Sequence, residues 1–169
     1  MCVTAAQTCI EVDIRLLSQT MCEQREITRL CAMPFTPEEV TIVWDSVLWK
    51  AWLSTSGGDH GAPFFHALYA FMTSKRRHRF AAAAMWALAH RLAGATADVG
   101  GDDRTRAALT ARRCTAVAVA CSSLALVDRE HAYLLGSEWW PRCPTPLALV
   151  SIDDMRKSLA ALAAARPTL

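Results

Sequence analysis

The chain has few turn-forming residues, with seven glycines and seven prolines in 169 residues. That excludes a loop-dominated or all-β protein, which needs turn chemistry between every pair of strands. Its seven cysteines are odd in number and contain no C-x-x-C pair. A zinc ribbon and a thioredoxin-like site are thereby excluded, and the cysteines read as small buried hydrophobes of a reducing compartment. The longest apolar stretch, residues 116–127, is interrupted by Ser122 and Ser123. It falls well short of the roughly 20 residues that cross a bilayer as a helix, so no membrane span is expected. Residues 1–7 lack the basic flank and apolar run of a secretory signal. Charge is balanced too, 18 basic against 16 acidic side chains and a formal net charge of +2. That gives no general reason to expect a polyanion partner. Phosphate-binding glycine loops, H-E-x-x-H and G-x-S-x-G are missing, and no two of the five histidines have helical metal-site spacing. An enzyme, a cofactor, a bound metal and a small-molecule substrate are not expected.

What is present is alanine, 30 residues of it, within a composition that is 53% hydrophobic and 20% charged. Alanine is the strongest helix former, and this hydrophobic content can bury a core. Thr36-Pro37-Glu38-Glu39 predicts a helix start with a capping box and proline at the first helical position. Val40, Val43, Trp44, Val47 and Leu48 then recur at three- and four-residue spacing and draw one apolar face, widened by Trp49 and Trp52. This helix should run to Leu53. Upstream, Ile10, Ile14, Leu17 and Met21 fit another helical face, followed by a short helix over 23–32 that stops before Pro34. Pro63 opens a helix carrying Phe64, Leu68, Phe71 and Met72. A second follows over 79–92, with four consecutive alanines that allow a tight antiparallel hairpin. A long helix over 103–127 places Cys114, Val117, Cys121 and Leu124 on one face, and a shorter one is expected over 128–136. The last begins at Ser151-Ile152-Asp153-Asp154, with Met155, Leu159 and Leu162 inward.

Helices joined by short turns, with no strand-turn-strand signal, predict an all-α protein, an irregular α-helical solenoid of stacked antiparallel pairs. It is TPR-like in architecture but lacks the tetratricopeptide consensus residues. Residues 1–136 are expected to form a stack of about six helices, 137–150 a linker, and 151–169 the start of the next helical segment. Asp102-Asp103 and Asp153-Asp154 sit at helix starts, where carboxylates cap amides rather than catalyse. Residues 1–60 carry 4 basic and 8 acidic side chains, whereas 61–130 carry 10 and 5. This polarity can steer stacking against neighbours. The dense basic run, Lys75, Arg76, Arg77 and Arg79, reads as a solvated turn; its alternative is a helical nucleic-acid-binding or adaptor module that uses these residues on phosphates.

The order of several blocks resembles a known family. Leu68-Tyr69-Ala70-Phe71, the basic turn Lys75-Arg76-Arg77-His78, and Phe80-Ala81-Ala82 through Met85-Trp86 to Arg91-Leu92 form one block. Cys114, Cys121, Leu124 and Leu126, then Asp128-Arg129-Glu130-His131-Ala132-Tyr133, form the next. Cys22-Glu23-Gln24-Arg25-Glu26-Ile27 with Pro34-Phe35 and Glu38-Glu39-Val40 precede them, and Leu149-Val150-Ser151-Ile152-Asp153-Asp154-Met155 follows. Together they resemble the large scaffold nucleoporins of the nuclear pore Y complex, the 160- and 120-kilodalton class, in their carboxy-terminal helical region. The insertion at Gly100-Gly101 and the Trp139-Trp140 segment have no counterpart in that pattern. The resemblance implies a fragment of a longer structural component of the nuclear pore scaffold at the nuclear envelope. Its partners would be other Y-complex scaffold nucleoporins and its role the support of mRNA and protein transport; nucleic acid is not an expected partner. A section of a longer stack leaves its end helices uncovered. Exposed apolar surface is therefore expected at Ile10 and Ile14 on the first helix and at Leu159 and Leu162 on the last. Trp139 and Trp140, adjacent and unable to share one helix face, are candidate anchors for another segment or another protein.

Overall fold

The computed structural model describes residues 5–54, 61–99, 102–136 and 149–164. Helices α1 (Ala5–Glu23), α2 (Ile27–Ala32), α3 (Pro37–Leu53), α4 (Ala62–Ser74), α5 (His78–Asp98) and α6 (Asp103–Leu124) follow one another. Two short strands, β1 (Tyr133–Leu135) and β2 (Leu149–Ser151), come next, and α7 (Ile152–Ala164) is last.

The local signals act as the sequence predicts. Thr36 Oγ1 accepts from the Glu39 amide at 3.3 Å and the Thr36 amide donates to Glu39 Oε2 at 2.7 Å, closing the capping box of α3. Asp102 caps α6 by accepting from the amides of Arg104 and Thr105. The break between α1 and α2 falls at Arg25, whose φ of 60° lies in the left-handed region. Hence α1 runs through Glu23 and α2 starts later than its apolar pattern suggested. Gly61 caps α4 with φ 72°, and a Cβ there would run into the Ala51 carbonyl. Only glycine allows this approach of α4 to α3.

Side-chain ties give the arrangement of the helices. Gln19 Nε2 donates to Ser46 Oγ at 2.8 Å, Ser46 Oγ donates to the Arg15 carbonyl at 3.2 Å, and Lys50 pairs with Glu23 at 2.9 Å. Residue numbers rise together along α1 and α3, so these helices run side by side in the same direction. The same holds for α3 and α5: Trp44 meets Phe80 edge to face at 5.2 Å, while Arg91 donates to the carbonyls of Trp52 and Ser54. Helices α1, α3 and α5 thus form one layer. In the other, α2 packs on α4, and Lys75, just after α4, donates to the Cys31 and Met33 carbonyls at the end of α2. Helix α4 returns against α3 and α5, and α6 returns against α5. Two layers of alternating helices, each touching its neighbours in the stack, make an α-solenoid.

Helix α5 is the centre of that stack. Ala81, Ala82, Ala83 and Ala84 are each at most 1% exposed. Four consecutive residues point in all directions around a helix, so this stretch of α5 is enclosed. The alanines therefore do more than pair α5 with α4: they let several neighbours approach one helix at short distance. Phe65, Phe71, Leu92 and Leu124 complete the core around them.

After α6 the structure departs from the expected helix over 128–136. A single 3-10 turn, Arg129–His131, leads into β1. Only Ala132 and Leu135 could have continued a helical stripe, whereas Leu134 alternates inward between half-buried Tyr133 and Leu135. Strand β1 pairs antiparallel with β2, Leu134 opposite Val150. Leu149 and Val150, read from the sequence as the end of a linker, are therefore strand residues. The Ser151 amide donates to Asp154 Oδ2 at 3.0 Å and the Asp154 amide donates to Ser151 Oγ at 3.2 Å, starting α7, which packs on α6.

Candidate functional site

Helix α1 ends the layer formed with α3 and α5. Its inward stripe is Ile14, Ser18, Met21 and Cys22, all buried. The Cys22 thiol is pushed up to about 12 by burial, with Cys31 and Glu23 adding to the effect, so it stays protonated. On the far side, where a further helix of the layer would lie, the surface is apolar. Leu16 is 66% exposed, Val12 56% and Ile10 54%, with Leu17 and Cys9 also in solvent. Asp13 is the exposed acid among them.

Ile10 is thus exposed, but Ile14 is buried at 8% and does not belong to this surface. It lies one turn from Ser18 and two from Met21, the stripe turned to the core. Val12, Leu16 and Leu17 take its place. Val12 and Leu16 were legible as apolar residues off the stripe Ile10, Ile14, Leu17 and Met21, whereas Ile10 and Leu17, read as part of that stripe, stand at its exposed edge.

The other end of the chain differs. Leu162 is buried at 9% and Leu159 is half-buried, so Leu162 is not an exposed patch either. It sits two turns from Met155, which is fully buried, on the stripe that packs on α6. The outer face of α7 carries Asp153 with Arg156 and Asp154 with Lys157, paired at 3.1 and 3.9 Å. Trp139 and Trp140 lie outside the described residues. Further exposed apolar side chains stand singly or in pairs: Trp49 and Leu53, one turn apart on α3, with Leu126 and Leu149 near β1 and β2.

The basic turn is largely consumed by the fold. The Lys75 ammonium is held by two carbonyls and lies over the Phe35 and Phe71 rings at 5.8 and 5.5 Å. Arg77 reaches the Pro37 carbonyl at 3.4 Å, and the Arg79 guanidinium stacks on Tyr133 at 4.7 Å. Arg76, at φ 57°, is the exposed member of the run. Three cations locked onto carbonyls and rings make a corner of the stack rather than a phosphate-tracking surface.

His66 and His90 are held below the ordinary histidine range, first by partial burial and then by Arg112 and Arg113 respectively. A cleft of about 370 Å³ between the end of α5 and the start of α6 has mainly aliphatic walls, with Asp98 and Arg112 as its charged lining. Among the described residues no three His, Cys, Asp or Glu side chains gather in a metal-holding group. Among the same residues no helix is long and apolar enough to cross a membrane.

The two layers of alternating helices define an α-solenoid of TPR-like build, a class of protein whose surfaces serve to stack on other helices. The family described as NUP160/120 middle TPR matches residues 5–126, from the first described residue of α1 to just beyond α6. The chain belongs to this family of Y-complex scaffold nucleoporins. The match agrees with the resemblance read from the sequence, covers the helical stack and ends before β1. Neither a curated protein nor a solved structure matches the chain.

Proposed function

We propose that this chain is a structural segment of the nuclear pore scaffold at the nuclear envelope. It acts without catalysis, by stacking helices against other scaffold nucleoporins, and so supports the passage of mRNA and protein. The observation that carries this reading is the family match across α1 to α6, the part of the chain that forms the two-layer stack. The open apolar side of α1 supplies a surface suited to such stacking. The corner built from Lys75, Arg77 and Arg79 speaks against the nucleic-acid alternative, since its cations already have partners.

Affinity purification of the tagged chain from nuclear-envelope extract tests this, with peptides read for scaffold nucleoporins. Enrichment of those nucleoporins over a tagged unrelated solenoid is expected. Their absence, together with diffuse distribution of the tagged chain in intact cells, would contradict the assignment.

A further inference from the structure

We draw no further inference here: the strongest candidate, the exposed apolar face of α1 around Ile10, Leu16 and Leu17, carries nothing, because nothing in the structure shows what covers it.

Discussion

Helices α1 and α7 stand at opposite ends of the described chain, and both bury one stripe, yet they finish their outer faces differently. Helix α7 turns Met155 and Leu162 inward and carries short-range ion pairs at its start, followed by the exposed alanines Ala160, Ala161, Ala163 and Ala164. Helix α1 turns Ile14 and Met21 inward and leaves Ile10, Val12, Leu16 and Leu17 in water. A repeat stack needs polar caps at its ends to remain soluble. By that criterion the described part of α7 begins with a charged outer face, whereas the outer face of α1 is apolar.

Core truncation separates the two most sharply. Met155→Ala should destabilise the chain by about 3 kcal/mol through lost burial and a residual cavity. Leu16→Ala on α1 should stay within about 0.5 kcal/mol, because the removed atoms were hydrated in the folded state as well. Urea titration of both variants decides this, and comparable losses would erase the distinction.

The ties that hold each helix in place come next. Ser46 is 2% exposed, and its hydroxyl accepts from the Gln19 side-chain amide and donates to the Arg15 carbonyl, so Ser46→Ala removes both of these bonds while the Gln19 bond to the Ser46 carbonyl and the Lys50–Glu23 pair remain. A loss of about 1 kcal/mol is expected. It should appear in native-state hydrogen exchange as faster exchange of α1 amides, with α7 amides unaffected.

The smallest difference is one of pH. The Asp154 carboxyl is held below the ordinary carboxylate range by the Ser151 hydroxyl and amide that donate to it. Its contribution to α7 is present above the unfolded pKa, about 4, and is lost as pH falls through the lower folded value. Asp45 on α3 has the opposite sign, since burial raises it and Arg15 only partly offsets that. Its contribution is fully present below the unfolded value and is lost as pH rises through the raised folded one. Acidification from neutrality should therefore tighten the α1–α3 seam before it loosens the start of α7. Hydrogen exchange across that pH range checks the order, and Asp154→Asn should flatten the α7 limb.

Much of this was legible in the residues. Thr36, Pro37 and Glu39 placed the start of α3, and the three- and four-residue recurrences gave the main helices and the all-α class, because capping and periodicity are local physics. The β1–β2 pair was not legible. Three residues on each side, separated by 136–148, form a strand only when paired, and that pairing is a long-range event. The enclosure of α5 was half-legible: the alanine run signalled close packing, but the number of neighbours around it depends on topology. Ile14 and Leu162 failed as surface candidates for a related reason. Each was chosen for its nearness to an end, and only the phase of its helix against its neighbour decides what is covered. The basic run misled in charge alone, since nothing local tells that Lys75 will find the carbonyls of Cys31 and Met33.

The proposal to be tested is that the apolar outer face of α1 serves stacking in the pore scaffold and the charged start of α7 does not. The most direct test is quantitative co-purification of scaffold nucleoporins from nuclear-envelope extract with three chains: the natural one, Leu16→Glu on α1, and Lys157→Glu on α7. Recovery is expected with the natural chain and with Lys157→Glu, and loss with Leu16→Glu, all three being equally folded by circular dichroism. Undiminished recovery with Leu16→Glu, or loss with Lys157→Glu alone, would contradict it.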